Sequence, residues 1–260
     1  MYNKFMIYLL GGILARIFSN SFLNVFQKLL TKRGEHSSVV NFFTYFGLTL
    51  IALCFCRNPI FNTEMLPNIF TMGFLGALGN YFIVKALSCG ELSSLAPINS
   101  YKPIVALITG IIFLKEYPGI IEILGIGLIL IGTLILGNSK IFLNKATIYR
   151  FIALILLGTE AIFIKKVILL SDVNSAFLYW VSTGLIFTLI FTLLSKHPIK
   201  IKKENIPLQI ILIILVAIMQ YTTNYVFSKM NVSYALALFQ LSTIVSVLLG
   251  ANIFKENGLK

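Results

Sequence analysis

Charged residues are scarce in this sequence: Asp, Glu, Lys and Arg make up 12% of its 260 residues, whereas 58% are hydrophobic. A soluble domain of this length needs far more charge on its surface, so that class is excluded. Apolar runs of about 20 residues, the length of a membrane-spanning helix, recur along the chain. The strict alternation of barrel strands is absent, and we therefore predict an all-α polytopic membrane protein.

Residue patterns for metal binding and catalysis are also missing. Cys54, Cys56 and Cys89 lack the spacing of metal ligands. The two histidines, His36 and His197, lie in separate connections. An intramembrane enzyme acting on lipids, the main alternative function, would need His, Asp or Ser gathered near one interface. We therefore expect no enzyme activity, no metal site and no cofactor.

The net charge of +12 does not indicate a nucleic-acid partner. The Lys and Arg residues lie mainly in short connections beside apolar runs, as membrane topology signals do. They do not gather on one soluble face, which a nucleic-acid-binding surface requires. Loops after the odd-numbered spans hold more Lys and Arg than the other loops, and by the positive-inside rule this places the N-terminus outside the cell.

The apolar runs predict nine spans. They cover residues 4–30, 38–56, 68–87, 92–114, 119–136, 147–170, 175–194, 208–229 and 232–254. None of the connections could hold a soluble domain, so binding and transport must use side chains of the helices themselves.

An internal repeat relates the two halves of the chain. Phe26-Gln27-Lys28 and Gly47 match Phe163-Ile164-Lys165 and Gly184. Asn80-Tyr81 matches Asn224-Tyr225. Phe113-Leu114-Lys115-Glu116 matches Ile253-Phe254-Lys255-Glu256. The repeat unit is five helices, with residues 1–139 as the first copy and 140–260 as the second. Because five is odd, the second copy is predicted to be inverted in the membrane, an arrangement that suits alternating access.

These segments resemble the EamA repeat of the drug/metabolite transporter superfamily. The resemblance rests on Lys85-Ala86-Leu87, Ser93-Ser94-Leu95-Ala96-Pro97 and Phe113-Leu114-Lys115-Glu116. It implies a secondary transporter of the bacterial plasma (inner) membrane, often an exporter of amino acids or other small metabolites. It also implies an N-terminus inside the cell, contrary to the loop charges, so the orientation stays open.

The resemblance further implies ten helices, whereas this sequence continues past Lys255-Glu256 only to Lys260. The second repeat is therefore expected to lack its last helix. Either a partner helix or a second copy supplies the missing packing surface, or the neighbouring helices face membrane lipid. A non-transporting membrane subunit is the other alternative function.

Arg16 and Glu160 lie near the middle of corresponding spans, where an ionisable side chain is costly and usually functional. Arg16 is predicted to bind a substrate carboxylate, with Glu160 as its counter-ion or as a proton-coupling group; a purely structural ion pair explains both residues equally well. Transport could be coupled to protons through Glu160 or be facilitated diffusion. Ile13-Leu14-Ala15-Arg16 also resembles an Ile-Leu-Ala-Glu segment of small multidrug exporters with the charge reversed, which favours an anionic substrate.

Lys102 stands between Pro97 and Pro103, which are predicted to kink the fourth span. There it could bind a second anionic group of the small-molecule substrate, or its stem could extend to the interface. Uncharged polar residues predicted to contact a polar metabolite are Asn20, Asn80, Tyr81, Asn224, Tyr225 and Gln240. Hydrogen bonding between helices is the alternative role for each of them.

Several glycines are predicted to allow close approach of helices. They are Gly73, Gly76 and Gly79 in the third span, and Gly125 and Gly127 in the fifth.

Overall fold

The computed structural model describes residues 2–136 and 144–256, and all regular structure in these ranges is helical. The α-helices are α1 (Tyr2–Lys32), α2 (Ser37–Phe55), α3 (Leu66–Cys89), α4 (Leu92–Leu95), α5 (Lys102–Leu114), α6 (Ile120–Leu136), α7 (Lys145–Leu170), α8 (Val173–Leu194), α9 (Ile206–Phe227), α10 (Val232–Phe239) and α11 (Ser242–Phe254). Short 3-10 helices cover Thr63–Met65, Pro97–Tyr101 and Lys203–Asn205.

The all-α polytopic class is confirmed, and helices coincide with all nine predicted spans. Seven helical segments of the described chain have the length and hydropathy needed to cross a bilayer: Met6–Lys32, Ser37–Phe55, Thr63–Cys89, Leu92–Leu114, Val173–Leu194, Lys203–Phe227 and Val232–Phe254. The other two are α6, which has 17 residues, and α7, which has 26 residues. The fourth and ninth spans each consist of two α-helices separated by a break.

Polar side chains cap the N-termini of three spans by accepting hydrogen bonds from otherwise unpaired backbone N–H groups. His36 accepts one from Ser38 at the start of α2, and the Asn144 side chain accepts one from Thr147 at the start of α7. The Asp172 carboxylate accepts two in the first turn of α8. These residues separate consecutive apolar runs into antiparallel helices.

The break in the fourth span confirms the predicted kink. After α4 ends at Leu95, the chain forms a 3-10 turn that begins at Pro97, and α5 starts at Lys102. Pro103 lies in the first turn of α5, where a proline's missing N–H leaves no hydrogen bond unmade.

The break in the ninth span was not predicted, because no proline or glycine marks it. α10 ends at Phe239 and α11 starts at Ser242. Between them the backbone hydrogen bonds join residues three apart, as in a 3-10 helix. The Gln240 N–H donates to the Ala237 carbonyl, and the Thr243 N–H donates to the Gln240 carbonyl. Both broken spans therefore interrupt their helices at equivalent places of the repeat.

Helices from one half of the chain pack mainly against helices from the other half. α1 packs mainly on α9 and α3 mainly on α7, while α2 packs on its counterpart α8. Likewise α5 contacts α7, and α11 contacts α1. An approximate twofold axis relating the two repeats would produce this pattern.

The glycines of α3 let it approach α7 and α8 closely, as predicted. A Cβ atom on Gly73 would overlap with Thr183, and one on Gly79 would overlap with Leu157. A Cβ atom on Gly76 would overlap with both Glu160 and Trp180. Because Gly76 lies against Glu160 and Trp180, this close packing also positions those two side chains.

Along α6 the prediction for glycine is wrong. Gly125 and Gly127 have no described atom within 4 Å of an added Cβ. The helix is also exposed along much of its length, with Ile120, Ile121 and Leu128 all more than 70% accessible. This apolar surface is suited to lipid or to another helix.

The two histidines lie in separate connections, but the structure brings them together, contrary to expectation. The rings of His36 and His197 stack with 3.7 Å between their centroids, and so join the α1–α2 connection to the α8–α9 connection. His36 Nδ1 also lies 2.8 Å from the Ser38 hydroxyl, which in turn lies 3.0 Å from the Ser195 hydroxyl. The sequence could not indicate this contact, because 160 residues separate the two rings.

The stacked histidines predict a pH-dependent stability. Burial lowers the pKa of the His36 imidazole from its ordinary value of 6.5, and the nearby charges of His197 and Lys85 lower it further. The unfolded chain therefore binds a proton more readily, so this contact stabilises the protein above about pH 6.5 and loses that stabilisation as the pH falls below it. Thermal unfolding of the purified protein between pH 7.5 and 5.5 measures the effect.

His36→Gln is expected to flatten this pH dependence, and His197→Gln to flatten it in part, because burial is the larger cause of the lowered pKa of His36. Equal pH dependence in the wild type and in both variants would refute the assignment.

Candidate functional site

A cavity lies at the junction of the two halves, with walls from α1, α3, α7, α8, α9 and both broken spans. Among the predicted site residues, those that line it are Arg16, Asn20, Asn80, Lys102, Glu160 and Gln240. Tyr81, Asn224 and Tyr225 do not line it. The cavity combines charged groups of both signs with amides and apolar side chains, which is the composition of a site for a small polar molecule.

Arg16 is held in the wall of the cavity by two contacts. Its Nε donates a hydrogen bond of 2.7 Å to the Thr223 hydroxyl on α9, and its guanidinium carbon lies 4.9 Å from the centre of the Phe239 ring. The side chain is 8% exposed, and its Nη1 atom is buried without a hydrogen-bond partner in the described chain. Arg16 is therefore oriented and still has donor capacity for a ligand.

Glu160 lies on the same cavity but does not pair with Arg16. Its Oε1 accepts a hydrogen bond of 2.5 Å from the indole N–H of Trp180. The ion pairs found among the described residues lie elsewhere, so the predicted alternative of a structural Arg16–Glu160 ion pair is wrong. Arg16 and Glu160 therefore form no ion pair with each other, and each remains able to interact with a ligand.

Lys102 begins α5 and lines the cavity, which excludes the alternative that its stem extends to an interface. It interacts electrostatically with Glu160, Arg16 and Arg150. No hydrogen bond or ion pair joins its ammonium group to another described residue. Its position follows from the break in the fourth span, which directs the start of a helix toward the cavity.

Two of the cavity amides, Asn20 and Asn80, use their N–H groups to join helices, whereas Gln240 does not. Asn20 donates to the Ser242 hydroxyl at 3.0 Å, Asn80 donates to the Tyr45 hydroxyl at 3.0 Å, and Gln240 donates to a carbonyl of its own helix. The side-chain carbonyl oxygens of Asn20 and Asn80 accept no hydrogen bond from the described residues. These two oxygens can still accept a hydrogen bond from a ligand.

The three predicted residues outside the cavity wall make packing contacts. Asn224 is completely buried, and its side-chain oxygen accepts a hydrogen bond of 2.9 Å from Gln220. The rings of Tyr81 and Tyr225 lie beneath the ammonium groups of Lys85 and Lys229, at 5.3 and 5.9 Å. The tyrosines of the repeated Asn-Tyr pair therefore make equivalent contacts on α3 and α9, whereas the asparagines do not.

Sequence patterns missed several residues of the site. Asn99 and Ser242 reach the cavity only because the fourth and ninth spans are broken, and Thr223 reaches it through its bond to Arg16. Trp180 had one usable signal, since it is the single tryptophan of the chain. Arg150 is completely buried near the start of α7. An arginine at the end of an apolar run ordinarily faces the membrane interface, so the sequence carries no signal of its burial.

An ion pair joins the two halves at the end of α1. Lys28 pairs with Glu256, the second residue after α11, and also donates to the Gly90 carbonyl at 2.8 Å. The same Glu256 carboxylate accepts the backbone N–H groups of Leu92 and Ser93 at the start of α4. We call these contacts the first clamp.

An equivalent second clamp lies at the end of α5. Lys165 of α7 lies 3.7 Å from Glu116 and donates to the Met230 carbonyl at 3.0 Å, while Glu116 accepts the N–H of Val232 at the start of α10. The residue before each glutamate, Lys115 or Lys255, has a positive φ that turns the chain back at the helix end. The repeated Lys-Glu signature of the sequence is thus a helix end followed by a clamp carboxylate.

The clamps lie at opposite ends of the helix bundle. α3 and α7 are antiparallel, since Gly79 lies against Leu157 and Gly90 against Ala146. Lys28 binds at Gly90, whereas Lys165 lies beyond Leu157 in the other direction. At 1.5 Å per helical residue the two clamps are roughly 28 Å apart, close to the thickness of a bilayer core.

A bundle of apolar helices around a polar cavity defines this chain as an integral, multi-pass membrane protein of the transporter class. The model of the EamA-like transporter family matches residues 6–138, and the chain belongs to this family, within the drug/metabolite transporters. A solved structure titled only as the crystal structure of a protein is 13% identical, with a TM-score of 0.71 over 95% of this chain and 90% of that chain. This likeness shows the fold alone. No curated protein matches the sequence significantly.

Proposed function

We propose that this protein is a secondary transporter that exports amino acids or related small carboxylates by alternating access. The observation that carries the proposal is the presence of Arg16 and Glu160 on one cavity without a bond between them. An amino acid presents a carboxylate and an ammonium group a few ångströms apart, and so offers a partner to each residue. The proposed direction of transport rests on the resemblance to exporters and not on the cavity.

Arg16 supports recognition of the carboxylate. Its Thr223 and Phe239 contacts leave Nη1 unpaired, and a guanidinium nitrogen forms a strong charge-assisted hydrogen bond with a carboxylate oxygen. Glu160 supports recognition of the ammonium group, because the described chain gives it only the Trp180 hydrogen bond. Surrounding apolar side chains exclude water and so strengthen both interactions.

The two clamps support alternating access. Each joins a long helix of one half to a broken span of the other half, and the clamps lie at opposite ends of the bundle. Opening one clamp while the other stays closed would admit solvent to the cavity from one side only. Equivalent contacts at both ends are what two inverted repeats need in order to exchange roles.

Replacing Glu160 with Gln tests the ammonium site. Glutamine keeps an oxygen for the Trp180 hydrogen bond but loses the charge, so affinity for alanine should fall about tenfold or more, as expected for a charged hydrogen bond. Affinity for propionate, which has no ammonium group, should stay within about threefold of the wild type, well inside the effect of one charged bond. Fluorescence of Trp180 during titration reports binding, and efflux from reconstituted vesicles reports transport.

Glu64→Gln serves as the matched control, because Glu64 is exposed in a connection far from the cavity. Equal affinity of the Glu160→Gln variant and the wild type for alanine would remove Glu160 from the proposal. If amino acids and carboxylates produce neither a fluorescence change nor a flux in the wild type, the proposed function itself is wrong. A flux that follows an imposed pH gradient only in the wild type would assign proton coupling to Glu160.

A further inference from the structure

We infer that the Lys102 end of the cavity binds a second anionic group, so that the preferred substrate is an amino acid with two carboxylates. This inference rests on the proposed function and names its substrate class. Glu160 and Arg16 would take the ammonium group and one carboxylate, as argued above. The second carboxylate would bind the ammonium group of Lys102.

The balance of charge around the cavity supports a second anion. Arg16, Lys102 and Arg150 carry three positive charges, and Glu160 carries one negative charge. A neutral zwitterion would satisfy Arg16 and Glu160 and would leave Lys102 and Arg150 without a carboxylate. Because a buried charge in a membrane protein is costly unless it is paired, an additional anionic group on the ligand is the expected complement.

Arg150 provides the strongest evidence of an unmet charge. Its side chain is 0% exposed, and its Nε, Nη1 and Nη2 atoms have no hydrogen-bond partner in the described chain. The residues beside it on α7, including Ala146 and Leu154, belong to an apolar cluster. Nothing in that cluster compensates the guanidinium charge.

Arg150 acts on the cavity through its electric field. It does not line the cavity, but it lies one helical turn before Leu154, which does. It also interacts electrostatically with Lys102. Arg16 and Arg150 raise the positive potential at the Lys102 ammonium group, whereas Glu160 lowers it. Once the ammonium group of the substrate occupies Glu160, the two arginines favour an anion at Lys102, which would lower the cost of these positive charges.

The break in the fourth span adds to this potential. α5 begins at Lys102 and has 13 residues, so the positive end of its dipole is directed to the cavity. The Asn99 side chain lines the same cavity and can donate hydrogen bonds to a carboxylate. Half-helices that begin at the middle of the membrane bind anionic groups in transporters of several folds.

Comparing each acidic amino acid with its amide tests the inference, because the pairs differ mainly in one charge. In titrations followed by Trp180 fluorescence, the wild type should bind glutamate at least about tenfold more tightly than glutamine, and aspartate more tightly than asparagine. Lys102→Met should abolish this preference, so that the ratio of glutamate affinity to glutamine affinity falls to about one.

Arg150→Met separates an electrostatic role from a structural one. Methionine fills similar space without charge, so the variant should melt at the same or a higher temperature than the wild type, because it removes an unpaired buried cation. Its preference for glutamate over glutamine should nevertheless decrease. A loss of stability with an unchanged preference would show that Arg150 is structural and would remove it from the inference.

Equal affinity of the wild type for glutamate and glutamine would overturn the second anionic site and leave the proposed function intact. A preference that survives in Lys102→Met would overturn the assignment to Lys102. Failure to bind any amino acid or carboxylate would overturn the proposed function, and the inference with it.

Discussion

Replacing Arg16 with Met should reduce amino-acid flux by about a hundredfold or more, the largest effect expected from any single cavity residue. The substitution removes the group proposed to bind the substrate carboxylate, so the bound amino acid loses its charge-assisted hydrogen bond at that end. It also removes the bond to Thr223 and the contact with Phe239, which orient the side chain. Initial rates of efflux from vesicles loaded with labelled amino acid measure the effect.

Arg16→Lys and Arg33→Met serve as controls for this experiment. Lysine keeps the charge but not the planar group with several donors, so Arg16→Lys should retain part of the flux. Arg33 is exposed in the connection after α1, and Arg33→Met should transport like the wild type. Normal flux through Arg16→Met would contradict the carboxylate site.

Breaking the two clamps should have opposite effects on access to the cavity. Lys28→Met weakens the first clamp and should favour the state open at that end, whereas Lys165→Met should favour the state open at the other end. Removing one partner of a buried ion pair costs up to about 3–5 kcal/mol, which is enough to shift two states of similar energy by more than tenfold. Flux should therefore fall at least about tenfold in both variants, because each would be held in one state.

A cysteine in the cavity would report these states. Ala161 is a small residue of the cavity wall, and Ala161→Cys can be introduced after Cys54, Cys56 and Cys89 are replaced by alanine. A membrane-impermeant thiol reagent is added outside sealed vesicles, and its rate of labelling of the introduced cysteine is compared with the rate in the protein with both clamps intact. Labelling should be faster when one clamp is broken and slower when the other is broken.

The first clamp should give the larger effect. Its side chains are 4% and 5% exposed, compared with 10% and 16% in the second clamp, so water replaces its interactions less well. Lys32→Met and Lys166→Met are matched controls, since each removes a neighbouring lysine that contacts an aromatic ring, Phe254 or Phe113, and no clamp carboxylate. Labelling that changes in the same direction for both clamp variants would contradict alternating access.

The helical class and the membrane location were predictable from composition, because a bilayer accepts only segments whose backbone groups are bonded internally. Pro97 and Pro103 likewise allowed the break in the fourth span to be predicted, since proline lacks the N–H that a helix interior needs. The equivalent break after Phe239 has no such local cause. It is stabilised by packing against distant helices, including the bond from Asn20 to Ser242, and so it has no local signal in the sequence.

The sequence by itself determined which polar residues lie within the spans, because the cost of burying them makes each one conspicuous in an apolar run. Only the tertiary structure decided which of them share a cavity. Asn80 and Asn224 are equivalent in the repeat, yet the first lines the cavity while the second is bonded to Gln220. The rotation of each helix and its neighbours set these outcomes, and both depend on contacts between residues that are far apart in the chain.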